Sequence, residues 1–216
     1  MPTHDAAAAL VGGAVYLFGG GQAVSTDAIV RVDPATAATR LAGSLGEPLS
    51  DLGAAVVGRS AYIVGGYTGT RFATAILRFT PPRSVRLVGR LPVGLRYAGV
   101  AALGPTIYVA GGLTTSGPSD AVYAFDTRTR RLRRLAPLPA PAAHVALAAV
   151  GSALYLVGGG SAQILRLDPA TGRASPVGRL PEPVADAAAV DLNGRLVVVG
   201  GGTRGVFDID FSLGSR

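Results

Sequence analysis

The side chains able to do chemistry recur at regular intervals in this chain. Asp5, Asp51, Tyr97, His144 and Asp186 each stand fourteen residues before the first glycine of a Gly-Gly pair. Carboxylates at one repeat position invite a metal or an acid–base reading. A metal site needs several converging ligands, whereas repeated units spread this position around a ring, and the chain holds only two histidines, His4 and His144, and no cysteine. No Gly-x-Ser-x-Gly elbow or other nucleophile context accompanies His144. Capping of the turn that links one unit to the next is the expected task of the three aspartates, and neither a metal nor a cofactor is expected. Recognition draws on a different set: Arg71, Arg96 and Arg204, whose planar forks suit carboxylates, and Tyr67 and Tyr97, which offer flat apolar contact. The run RTRRLRR at 128–134 could grip phosphates. It alternates with leucine and has no aromatic neighbours for bases to stack on, so a solvated strand edge is expected and nucleic acid is not.

The elements that must position these residues are written five times. A short apolar strand ends in two glycines as AVYLFGG (14–20), AYIVGG (61–66), IYVAGG (107–112), LYLVGG (154–159) and LVVVGG (196–201). The first glycines, Gly19, Gly65, Gly111, Gly158 and Gly200, are 46, 46, 47 and 42 residues apart. A strand-built period of this length marks a propeller or solenoid. Before each such strand runs a stretch of tiny residues, such as DAAAALV (5–11) and DLGAAVV (51–57), joined to it by Gly-X or Asn-Gly links of hairpin type. Alanine and glycine are poor strand formers, so these stretches are expected where strands crowd around an axis. A third strand, IVRVD (29–33) in the first unit, feeds an Asp-Pro-x-Thr turn, in which the carboxylate caps local N–H groups and proline presets φ. An outer strand carrying one or more arginines follows in the first four units, where charge discourages edge pairing.

Five units of four antiparallel strands resemble kelch repeats over essentially the whole chain. The in-phase Gly-Gly pairs, the tyrosines three residues earlier (Tyr16, Tyr62, Tyr108, Tyr155), Tyr67 after Gly66 and the Asp-Pro-x-Thr turn carry the resemblance. The kelch tryptophan of the outer strand is replaced by Thr39, Arg131 or Ala174, a degeneracy similar to that of bacterial members. The resemblance implies an all-β fold, a single β-propeller domain over 1–216 with units of about 4–50, 51–96, 97–142, 143–185 and 186–216. The last blade is expected to lack its outer strand. Asp210 aligns with Asp168 and Gly214 with Gly172, so the fifth unit stops at the turn, and Met1-Pro2 resembles the Leu-Pro that closes earlier outer strands. Either blade five is three-stranded or the closing strand belongs to a longer chain.

The loops after the Gly-Gly pairs and the links between units emerge on one face, where propellers bind. The longest of these loops follow Gly66 and Gly112, so contacts are expected to centre on Tyr67, Arg71, Arg96 and Tyr97, with His144 at the margin and Arg204 contributing from blade five. The first reading is a non-enzymatic module that binds a protein segment or a small polar ligand such as a sugar. The second is a sugar-active enzyme of kelch fold, a lyase or an epimerase similar to sialic-acid mutarotases. A His-carboxylate pair in one pocket would favour the enzyme. The copper oxidase of this fold needs a Cys-Tyr cofactor, which a chain without cysteine excludes.

Composition bounds the rest. Hydrophobic residues make up 49% and charged ones 15%, with 31 Gly and 15 Pro, the balance of a turn-rich all-β chain. All 20 basic residues are arginine, as GC-rich coding produces, and the net charge of +7 favours anionic partners only in general terms. No basic segment precedes an apolar core at the N-terminus, and no run reaches the roughly 18 apolar residues of a membrane span. The compartment stays open, including an extracytoplasmic one if an upstream segment carries the address.

Overall fold

Crowding at the centre explains the small residues of the innermost strands. The computed structural model describes residues 4–203 and 205–209, so the expectations that fell on Met1, Pro2, Arg204, Asp210 and Gly214 lie outside the described residues. Blade one comprises β1 (Ala7–Val11), β2 (Ala14–Phe18), β3 (Ala28–Val32) and β4 (Thr39–Ser44). Blade two comprises β5 (Gly53–Val57), β6 (Ser60–Val64), β7 (Ala75–Thr80) and β8 (Ser84–Arg90). Blade three begins with β9 (Gly99–Leu103) and β10 (Thr106–Ala110) and carries a small ribbon, β11 (Leu113–Thr114) with β12 (Gly117–Pro118). It ends with β13 (Val122–Asp126) and β14 (Leu132–Arg134). Blade four comprises β15 (Val145–Val150), β16 (Ala153–Gly158), β17 (Ser161–Leu167) and β18 (Ala174–Val184), and blade five β19 (Ala188–Leu192), β20 (Arg195–Val199) and β21 (Val206–Ile209).

Each blade is an antiparallel meander, four-stranded in the first four and three-stranded among the described residues of the fifth. The strands β1, β5, β9, β15 and β19 line a central channel. A Cβ added to Gly53 would stand 2.2 Å from the Val100 side chain on the next inner strand, and one on Gly99 would stand 2.8 Å from Leu147 on the one after. The expected crowding is therefore real, and it overrides β propensity.

Blades stack face to face through four apolar seams. Alternation along a strand sends successive residues to opposite faces, and in the interior blades both faces are covered. In β6, Ala61 and Ile63 join the seam with blade one, and Tyr62 and Val64 the seam with blade three. Phe79 anchors the first seam, edge-on to Tyr16 at 5.0 Å and to Phe18 at 5.5 Å. Phe125 and Ile107 fill the second seam, Leu154 and Leu167 the third, and Leu196, Val198 and Phe207 the fourth. Among the described residues, blades one and five share no such seam.

Backbone approaching backbone accounts for the paired glycines. A Cβ on Gly19, Gly65 or Gly111 would lie 2.1, 2.4 or 2.5 Å from the carbonyl oxygen of Leu49, Leu95 or Ala142, each in the link leading into the next blade. The second glycine completes the clasp, since the N–H of Gly20, Gly66 and Gly112 donates to those same carbonyls. Blade four shifts this arrangement by one residue: Gly158 lies inside β16 beside a bulge, and Gly160 makes the bond to the next link, at Val184. The Asp-Pro turns close as expected, for the carboxylates of Asp33 and Asp168 each accept from two turn N–H groups, and Asp126 does so without a following proline. Those bonds hold all three carboxyls below their ordinary pKa.

Candidate functional site

The five residues at the shared repeat position open the innermost strands, and all five have left-handed backbone. Asp5, Asp51, Tyr97, His144 and Asp186 have φ between 55 and 58°. Such a conformation costs a residue with a Cβ roughly 1–2 kcal/mol and is least unusual for Asp, Asn and His. Here hydrogen bonds offset it. The N–H of Asp51 donates to the carbonyl of Asp5 at 2.9 Å, Tyr97 to Asp51 at 3.0 Å, His144 to Tyr97 at 3.0 Å and Asp186 to His144 at 3.2 Å. An arc of backbone bonds thus runs around the channel mouth from blade to blade. In blades one to three the residue before this position is held from outside as well: His4, Ser50 and Arg96 bridge to Gly21, Tyr67 and Leu113, the residues directly after the Gly-Gly pairs. The structure corrects the expected capping, because among the described residues the aspartates share a backbone conformation and their carboxylates bond to other side chains.

On blades two and three, Arg96 lies among three rings, with its guanidinium carbon 5.1 Å from the centre of Tyr67, 5.1 Å from Phe72 and 4.6 Å from Tyr97. Tyr67 and Phe72 meet edge to face at 5.7 Å. Arg96 Nη1 stands 3.4 Å from the carboxylate of Asp51, whose side chain is only 4% exposed. Burial, then repulsion from Asp5, raises the Asp51 carboxyl above its ordinary value, and Arg96 pulls the other way. Burial followed by the charge of Asp51 likewise raises the Tyr97 hydroxyl. Arg96 is thereby engaged.

On blades three to five, the Tyr97 ring stacks on the His144 imidazole at 3.9 Å, and His144 Nδ1 lies 2.7 Å from Asp186 Oδ1. Such a carboxylate orients an imidazole and fixes its tautomer; among the described residues His144 Nε2 has no hydrogen-bond partner. At the other end of the arc His4 Nδ1 meets Asp5, and that bond, its largest cause, raises the imidazole above its ordinary value. The five arc residues and the small residues behind them line a cavity of about 430 Å³. Three carboxylates and no arginine border it, so the mouth is acidic in a chain of net charge +7. Among the described residues no group of three His, Asp or Glu could hold a metal ion.

Tyr67, Arg96, Tyr97 and His144 come together as one contiguous cluster, joined by Phe72. Arg71 instead pairs with Glu47 of the preceding link, both side chains exposed. Arg204 lies outside the described residues. Asp51 and Asp186, expected to cap turns, are the partners of Arg96 and His144. Their signal was present: equal repeat positions in adjacent units must be neighbours on a ring, so Asp186 had to stand beside His144.

Residues 94–139 match the family model of the Kelch motif. Among solved structures, one titled "Structure of YjhT" is similar in fold, with a TM-score of 0.82 and 19% identity over 97% of this chain and 80% of that one. No curated protein matches the chain. Together with five blades of antiparallel strands, the motif makes this a kelch-repeat propeller. No helix among the described residues is long and apolar enough to cross a membrane.

Proposed function

We propose that the protein is a non-enzymatic binding module whose channel mouth holds a small hydroxyl- or amine-bearing ligand of the sugar class. The observation that carries this is the composition of the cavity: a stacked Tyr97–His144 platform beside the carboxylates of Asp5, Asp51 and Asp186. Aromatic faces support the apolar side of a sugar ring, while carboxylates accept from its hydroxyls or pair with an amine. An anionic sugar fits less well, because Arg96 is engaged with Asp51 and Arg71 with Glu47. Titration calorimetry against neutral, amino and acidic monosaccharides tests the reading. Neutral or amino sugars should bind, and Tyr97→Ala should weaken them by about 1–3 kcal/mol. Binding of acidic sugars alone, unaffected by Tyr97→Ala, would remove it.

One observation favours the second reading, a sugar-active enzyme. The His144–Asp186 pair in the same cavity is an acid–base arrangement of the kind that moves a proton on a bound sugar. Exchange NMR of a sugar's anomers with and without protein decides: acceleration lost in His144→Gln would make the site catalytic.

A further inference from the structure

Four seams join five blades, which leaves one face of blade one and one of blade five. Both are apolar. Leu10 is 62% exposed and Leu41 70% on blade one, while Val190, Val199 and Val206 on blade five are 54, 45 and 60% exposed. Interior residues of the same alternation are buried in seams. Two backbone features stop at the same place. The arc of hydrogen bonds around the mouth runs from Asp5 to Asp186, and among the described residues no bond joins the Asp5 N–H to the Asp186 carbonyl. Gly200 keeps a φ of +78°, but a Cβ there would have nothing within 4 Å, whereas those of Gly19, Gly65 and Gly111 would strike the carbonyl of the next link.

We propose that these two faces are the docking surfaces for one further kelch blade, supplied from outside residues 1–216, which seats between blades five and one and completes the ring. Its own left-handed mouth residue would donate its N–H to the Asp186 carbonyl and accept from the Asp5 N–H. Its entering link would place a carbonyl beside Gly200. A second copy of this chain does not meet those demands. A two-fold dimer that pairs like faces sets donor end against donor end and leaves Asp186 of each copy unjoined, and one that pairs unlike faces must open every seam to the shallower turn of a ten-bladed ring. The similar solved structure agrees in size: a fifth of its chain lies beyond the match, about the length of one unit. The inference is independent of what the mouth binds.

The test adds a blade. A chain in which residues 51–96 precede Asp5, and another in which residues 97–142 do so, should each remain monomeric, melt at least about 5 °C higher than the 216-residue chain and lose its binding of an apolar dye. Introducing Leu10→Asp and Val199→Asp into the extended chains should abolish the gain. Absence of any gain in both extended chains would overturn the proposal. Hydrogen exchange on the unaltered chain gives a second reading: the Asp5 amide should exchange about tenfold faster or more than those of Asp51, Tyr97 and His144. Equal protection, or a dimer in solution that protects Leu10 and Val199, would assign the faces to self-closure or to a second copy and overturn it equally.

Discussion

The seam between blades two and three and the outer face of blade five are made from the same pattern of alternating aliphatic residues, yet they differ in almost every physical respect. Ile107, Val109 and Phe125 are essentially removed from water by Tyr62, Val64 and Ile76 across the seam. Val190, Leu192 and Val199 face solvent, although they occupy the repeat positions that Ala101, Leu103 and Ala110 hold in the seam between blades three and four. A blade contributes to stability only through a neighbour, so the same residue changes its worth with its place in the arc, as expected for a chain of units that contact only those beside them.

Truncation in a seam should give the largest effect. Phe125→Ala should destabilise the protein by about 3–5 kcal/mol in chemical denaturation, the usual range for removing a buried aromatic ring. A loss below about 1 kcal/mol would mean that the seam relaxes around the cavity and that the contrast is overstated. Next come the glycines. Gly65→Ala must push Leu95 away from a 2.4 Å approach while holding φ at +67°, and should cost roughly 2–4 kcal/mol. Gly200→Ala meets open space and should cost about 1–2 kcal/mol from backbone strain alone. Equal melting temperatures for the two variants would break the comparison at its most specific point. Smaller still is the titration of Asp51, whose folded-state pKa is raised. The folded state therefore binds the proton more tightly than the unfolded one, and stability falls as pH rises from the ordinary carboxylate value through the raised one. The stability difference between the native chain and Asp51→Asn should move in that direction over this window, and a difference flat with pH would remove burial as the dominant influence. Val190→Ser, on the open face, should change stability by less than about 0.5 kcal/mol.

Much of the architecture could be read from the sequence because the repeat makes steric demands that few residues meet. A carbonyl stands where the Cβ of Gly65 or Gly111 would be, so glycine returns in phase, and small residues return along the inner strands for the same reason. What could not be read are properties of the ring as a whole. Alternation in β19 looks like alternation in β9, and nothing local says that one face of blade five meets no neighbour. The left-handed backbone of Tyr97 was hidden because tyrosine is not a residue that favours it. The pairing of Arg96 with Asp51 crosses a unit boundary and depends on the curvature of the arc, and that of Arg71 with Glu47 joins the loop of blade two to the link before it. Blade four inserts a bulge in β16, so its three consecutive glycines carry a displaced version of a motif that reads as regular.

The arc of left-handed residues separates two kinds of information. Position is transmitted through amides and carbonyls, from Asp5 to Asp51, Tyr97, His144 and Asp186 in turn, while the attached side chains are an acid, an acid, a phenol, an imidazole and an acid. A substitution at any of the five rewrites the lining of the channel and leaves the transmitting backbone as it was. Gene duplication of a unit would therefore deliver a ready-placed blank for new chemistry, and descent with variation could explore five such sites almost independently of folding.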